Sequence, residues 1–499
     1  MPVSASTTFE AALRPWRRDP ATPPHRSLWL NEALGPGAIG ENVLQGDVRA
    51  DVCIVGGGFT GLWTAIRLSE LDPKLNVVIV EADLCGAGAS GRCSGGVGSW
   101  WGKLTSLVEK LGDTDGLRVL QASSAAVRDI DAFVGENDID CDLRRGPSLW
   151  GATAPAQVGA WESVFRTADR LGLTPPWRRL ADADVQQRFG RHSPYIAGVL
   201  IDKAIRVQPA KLARGLRHAA LQRGVAIYER SPVSHIRADG SGITVETSNG
   251  EVAADQVVLA ANAWMAHLPE FRPFVTVISS EIVATDPIPG LLERLGMRDF
   301  PGGINSRLMV NYGGITPKGQ VYLGRGGGTI AFAGRVGPEF DRSEAQIREV
   351  EDDFRYFYPE LRGTPLPHGW SGPIDRSTTG LPWLGHLAGS ERVHFAIGYS
   401  GHGVGASALA GRMLASNVLR RNDEWSSLTE CLERARHGRF PPEPIRYLGG
   451  QVVRAAVARK EMAERERRSP SRIDAALARL APGSISDLRK VPPVPTRSK

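Results

Sequence analysis

Short unbroken apolar runs alternate with stretches of helical periodicity over most of the chain. Asp51-Val52-Cys53-Ile54-Val55 has the length and continuity of a strand buried on both faces. Behind it Leu62, Ala65, Ile66 and Leu68 recur at helical spacing, and the run 75–80 (LNVVIV) reads as a second buried strand ending at Glu81. Strand, helix and strand make a βαβ unit. Helical periodicity returns at 113–137, 155–171, 208–223 and 343–358. Strands are expected at 225–228, 233–238, 243–247 and 252–253, separated by Gly, Asp and Asn turns, and 257–261 closes that block. Strand-like runs dominate from about 270 to 340, and the glycine-rich 398–405 opens a helix carrying Leu409, Met413, Leu414 and Val418.

The pattern predicts an α/β chain, α+β overall, in which a dinucleotide-binding domain is interrupted twice. Its expected pieces are 49–105, 200–263 and 385–425. A second domain on a largely antiparallel sheet takes 106–199 and 264–384, with an extended arm at 1–48 and a basic helical extension at 426–499. The 499 residues are 42% hydrophobic and 23% charged, which is the composition of a folded protein with ample core. No apolar run approaches the roughly 18–20 residues of a membrane helix, and the N-terminal region lacks the apolar stretch of a secretory signal. Five cysteines without metal-ligand spacing speak against a disulfide framework or a metal site and for a cytoplasmic protein.

Net charge is +6, yet residues 440–499 hold 13 Lys and Arg against 6 Asp and Glu, so the body is close to neutral. Positive charge confined to a tail argues against a nucleic-acid enzyme, whose working surface should carry it.

Gly56, Gly58 and Gly61 form G-x-G-x-x-G between a strand and a helix, and an acid ends the next strand. The glycines suit a tight turn and close backbone approach to a pyrophosphate, and the helix start offers amides and a positive dipole end. Glu81 suits both ribose hydroxyls and repels a 2′-phosphate. The stretch 86–98 (GAGASGRCSGGVG) suits backbone contact with a large planar ligand, and Arg92 within it is expected on the pyrophosphate.

GGGFTG, Glu81, GASGR, Gly380-Leu381-Pro382 and GYSGHGVG (398–405) together resemble the FAD-dependent amine and amino-acid oxidase family, which includes D-amino acid oxidase, sarcosine oxidase and gamma-glutamylputrescine oxidase. The resemblance runs from about 51 to 420. It implies FAD in a Rossmann-like domain of glutathione-reductase type, joined to a sheet-based substrate domain. It places Gly56, Gly58, Phe59, Thr60 and Gly61 on the pyrophosphate and Glu81 on the adenosine ribose. Ser90, Gly91, Arg92, Cys93 and Ser94 would line the cofactor's middle, Val233 the adenine, Ala261 a flank, and Gly372 a segment returning to the flavin. Gly401, His402, Gly403 and Val404 would meet the flavin's pyrimidine end, where a helix start stabilises charge on the reduced ring. Cys93 stands where relatives often have Asn, and Trp370-Ser371-Gly372-Pro373 lacks the family's other linking cysteine, so non-covalent FAD is expected.

The activity implied is oxidation of a C–N bond in a small amine by hydride transfer to flavin N5. The imine then hydrolyses, with O2 or another electron acceptor taking the electrons. An FAD-dependent dehydrogenase acting on a hydroxy acid or polyol is the alternative. His402, Trp101, Arg307 and Tyr312 are the expected catalytic or substrate-wall residues, with no metal. Positions of the sarcosine-oxidase anchors here hold Gly405 and, by looser alignment, Ser99 and Phe332, which disfavours sarcosine. Apolar stripes in the tail (Leu448, Val452, Val453, Ala456, Val457; Ile473, Ala476, Leu477, Leu480) read first as helices packed on the body, and second as an attachment to an acidic partner or membrane surface.

Overall fold

The computed structural model describes residues 9–12, 25–35, 42–181, 184–185, 193–238, 242–297, 302–435 and 438–482. The first apolar run becomes the strand Gly46–Val55, with parallel neighbours Gly250–Leu259 on one side and Val77–Val80 on the other. Ala226–Tyr228 extends the sheet beyond Val77–Val80, and Ser390–Ile397 joins the far side of Val257–Leu259, both parallel. Side chains alternate between two buried layers. Val52, Ile54, Val77 and Ile79 pack under the helices, while Cys53, Val55, Val78 and Val80 pack on the opposite face. That double burial is why the runs show no polar alternation.

The helices Phe59–Leu71, Leu104–Glu136, Pro209–Gln222 and Gly403–Val418 contribute to the first of these layers. The two strands expected at 252–253 and 257–261 are one strand, Gly250–Leu259. Its intervening Asp255 is a solvent-side position paired with Arg49 of the neighbouring strand at 3.0 Å. The Leu104–Glu136 helix begins well before the expected 113 and breaks at Gly112, where φ is +83°.

The second sheet runs in the order His368–Ser377, Val275–Ala284, Val321–Ile330, Asn311–Ile315, Gly303–Asn305, Arg144–Ala152, Ala197–Arg206 and Gly96–Val97. All described pairings in it are antiparallel except that of Gly303–Asn305 with Arg144–Ala152. Residues 200–206 and 96–97, expected with the dinucleotide-binding pieces, run in this sheet. The arm at 1–48 is also more than extended chain. Phe9–Ala12 pairs with Val233–Ala238, and Leu28–Leu34 is a helix capped by Ser27 with Trp29 and Leu30 buried.

The tail folds as the helices Ile445–Arg465 and Arg472–Ala478. Val457 and Ala478 pack against Met309, with Val453 beside them. Leu448, Val452, Ile473 and Leu480 are exposed, so the stripes pack in part only. The helix is fastened chiefly by charge. Glu461 is buried and accepts from Arg307 Nε at 2.9 Å and from the backbone N–H groups of Leu308 and Met309 at 2.7 and 3.1 Å. Asp353, also buried, faces Arg307 at 3.4 Å and Arg465 at 3.5 Å. Arg307 therefore holds the tail to the sheet. Removing one partner of a buried pair strands the other, at about 3–5 kcal/mol. Glu461→Gln should lower unfolding stability on that scale and speed amide exchange across 445–465 ahead of the rest; unaltered exchange there would show that the pair does not fasten the helix.

Candidate functional site

The turn after the Gly46–Val55 strand is shaped by backbone approaching backbone. A Cβ on Gly61 would lie 2.0 Å from Gly56 O, and Gly56 itself has φ +112° with Ala260 O 2.7 Å from where a Cβ would stand. Only glycine meets both demands. The Phe59–Leu71 helix starts at Gly58 with no side-chain cap, leaving its open end to a ligand. Phe59 N donates to Ser90 Oγ at 2.9 Å, and Thr60 Oγ1 meets Tyr399 Oη at 2.8 Å, so the cradle is tied to both the 86–98 loop and the 398–405 turn. Glu81 accepts from the N–H groups of Gly57 (2.7 Å) and Asp83 (2.9 Å). Burial, partly offset by those donors, pushes its carboxyl up to about 7. Ser231 N donates to Glu81 O at 2.8 Å, which brings the segment leading into Val233 alongside the acid, and Ala261 lies against Gly56.

The glycine-rich loop is suspended by side chains from elsewhere. Gly91 O accepts from Ser27 Oγ (2.7 Å), Arg92 O from Trp370 Nε1 (2.9 Å), Cys93 O from Trp29 Nε1 (3.1 Å) and Ser94 O from Tyr322 Oη (3.2 Å). Arg92 is turned away from the expected pyrophosphate role. Its guanidinium donates to the carbonyls of Ala87, Ser371 and His25 at 2.7–3.0 Å and pairs with Asp341 at 3.1 Å. Those acceptors are fixed backbone and a nearby carboxylate, so the side chain is a pin between loop, arm and second sheet. Cys93 Sγ lies 3.7 Å from Ser90 O, and burial raises its thiol to about 11, which suppresses the thiolate a linkage to cofactor would require.

At the other end, His402 caps the start of the Gly403–Val418 helix and makes no side-chain cap bond; its buried Nδ1 has no protein partner. Burial, then Lys103 and Arg376, hold its imidazolium well below the ordinary range, so the ring is neutral near pH 7. Lys103 Nζ is buried, donates to Gly380 O at 2.6 Å, and is lowered to about 7 by burial and by Arg376. Arg376 Nη1 donates to Pro482 O at 3.4 Å, its buried Nε has no partner among the described residues, and burial lowers that side chain to about 10. Asp375, next in sequence, is turned to the Gly398 N–H instead. Two basic groups and a neutral imidazole thus surround the helix start, and among the described residues no carboxylate pairs with Lys103 or Arg376. Sequence reasoning passed over both. For Arg376 the signal was period two, since it shares a strand face with Gly372.

That face is turned toward the loop. A Cβ on Gly372 would stand 3.2 Å from Arg92 Cβ, and one on Gly401 would stand 3.7 Å from Ile374. Tyr312 lies on it too, its Oη 2.7 Å from Oγ of Ser280, which pairs with Gly372 across the strands. Arg307 and Arg325 lie on the reverse, engaged with Glu461, Glu349 and Asp353. The expected substrate-wall role of Arg307 is therefore corrected: its cation is consumed by buried carboxylates. Trp101 packs half-buried against the helical core, two residues before Lys103, and Val404 is buried in the same core. Among the described residues no cluster of His, Cys, Asp or Glu could hold a metal.

A family model described as FAD dependent oxidoreductase (DAO) matches residues 51–417. The chain belongs to the DAO family of FAD-dependent oxidoreductases. It is 27% identical over 386 residues to gamma-glutamylputrescine oxidoreductase of Escherichia coli, covering 77% of this chain and 86% of that one. It is 25% identical over 391 residues to the probable oxidoreductase OrdL of Haemophilus influenzae, with the same coverage. The crystal structure of glycine oxidase from Geobacillus kaustophilus shares its fold, at TM-score 0.60 and 23% identity over 75% of this chain and 96% of that one.

The residues present fit FAD. The uncapped helix start at Gly58 suits the pyrophosphate, Glu81 the ribose, the suspended loop the cofactor's middle, and the 401–404 turn with its unpartnered His402 Nδ1 and Arg376 Nε the polar edge of the ring. Glu81 accepts ribose hydroxyls best when ionised, and its raised pKa means protonation begins near neutrality. The FAD dissociation constant should therefore rise as pH falls through 7, by up to about tenfold per unit for one linked proton. In Glu81→Gln it should be high and flat; titration of apoprotein by flavin fluorescence reads both.

Proposed function

We propose that this chain oxidises a C–N single bond of a small amine or amino acid to an imine, which water hydrolyses to an aldehyde or keto acid, with O2 as acceptor and H2O2 as product. FAD, when bound, supplies the two-electron acceptor. The reading is supported by relatives named gamma-glutamylputrescine oxidoreductase and glycine oxidase, and by one feature of the site. The carboxylate-free group of Lys103, Arg376 and His402 sits at a helix start, where negative charge is gained on reduction and where an acidic substrate group would be drawn.

The chain's residues orient and polarise rather than attack. The Arg376 guanidinium holds positive charge, and Lys103 Nζ, fixed on Gly380 O and lowered to about 7, holds it in part near neutral pH, both in a water-poor position where each interaction is stronger than in water. Neutral His402 offers Nδ1 as a hydrogen-bond partner at the mouth of the same helix. Tyr312 Oη and Ser280 Oγ give the sheet face one polar pair within an otherwise glycine-lined and apolar stretch, suited to an uncharged amine. The five cysteines are unbridged thiols, which supports a cytoplasmic setting, and no described helix is long and apolar enough to cross a membrane.

Anaerobic mixing with a panel of amines and amino acids should bleach the bound flavin, and air should then yield H2O2. Bleaching by hydroxy acids alone would replace the proposed reaction with alcohol oxidation. Lys103→Met and His402→Ala should each slow bleaching by about 10- to 100-fold with flavin content retained. A rate equal to wild type would take that residue out of the mechanism.

A further inference from the structure

The reverse side of the substrate sheet carries a second cleft, of about 510 Å³, where the end of the Ile445–Arg465 helix meets the Glu344–Phe357 helix. Four arginines line it, Arg355, Arg362, Arg465 and Arg467, and none of its described lining residues is acidic. Four guanidinium groups around one hollow repel one another unless something anionic enters. Two are held in place. Arg355 donates to Thr364 O at 2.8 Å, and Arg465 lies 3.9 Å over the Tyr356 ring while sharing Asp353 with Arg307. The other two are exposed at the rim, and among the described residues no carboxylate pairs with them. Arg467 occupies a left-handed conformation, φ +56°, one residue past the helix cap Glu466, a place where glycine is ordinarily preferred.

We propose that this cleft binds a small polyanion bearing phosphate groups or clustered carboxylates. Guanidinium forks match both groups bidentately. The volume exceeds what one orthophosphate fills, and the number of arginines calls for at least two or three negative charges. The Tyr356 and Tyr195 side chains give the lining an aromatic surface beside the charged one. The site is separate from the flavin cradle but not isolated from it. Asp353 joins Arg465 to Arg307 and Arg325, and so to the strands whose other face carries Tyr312.

The test uses the flavin-loaded full chain and calorimetric titration with tripolyphosphate, citrate and orthophosphate in 150 mM chloride. Tripolyphosphate or citrate should bind with one site per chain, at least tenfold tighter than orthophosphate, and the tighter of the two identifies the anion type. The double variant Arg362→Glu/Arg467→Glu should weaken binding at least tenfold, while the double lysine variant retains most of it. Unfolding temperature and flavin content without ligand confirm that the charge-reversed protein is folded. Absence of saturable binding by either polyanion, or equal binding by the charge-reversed variant, would overturn the proposal.

Discussion

The whole site hangs on backbone passing backbone at distances no side chain permits. Gly61 lets the first helix sit against Gly56 O, and Gly405 lets the second sit against Gly98 O, 2.4 Å from where a Cβ would be. These contacts seat the Phe59–Leu71 helix on the turn after the first strand and the Gly403–Val418 helix on the glycine-rich loop, and they bear on chemistry as well as shape. A lysine at 405, the position of a sarcosine-oxidase anchor, has no room while Gly98 O stands there. Positive charge reaches the same helix start by other routes, with Lys103 from the short turn after the glycine loop and Arg376 from the second sheet.

The parts of this arrangement governed by local rules were legible in the sequence. Continuous apolar runs marked the parallel strands because both of their faces are buried, and the glycine spacing marked the cradle because its turn geometry is local. Gly56 and Gly61 make the close backbone turn and His402 stands at a helix start, the local geometry those rules describe. What failed to show was the direction in which a side chain is spent. Arg92 and Arg307 are arginines in promising stretches, and each pairs with a carboxylate far away in sequence, Asp341 for one and Glu461 for the other. Charge alone does not reveal a partner, whereas alternation along a strand does reveal a face. Applied to His368–Ser377, it separates Gly372, Ile374 and Arg376 from Ser371 and Asp375, and would have found Arg376.

The same alternation explains how one sheet serves two tasks. Its loop-facing side is stripped of carboxylates: glycines, Tyr312, Ser280 and Arg376 are what a cofactor and substrate would meet. Its reverse is crowded with ions, where Arg307, Arg325, Asp353, Glu349 and Glu461 fix the tail helix. Were these ions on the loop-facing side, their carboxylates would neutralise Lys103 and Arg376 and remove the field that the helix start supplies. Separation of charge by strand face is therefore a condition for the site and not a by-product of packing. It also gives the tail, which lies outside the 51–417 family match, a physical reason to be retained. Glu461 satisfies an arginine and two backbone amides that the sheet would otherwise expose, beside the strand that carries Tyr312.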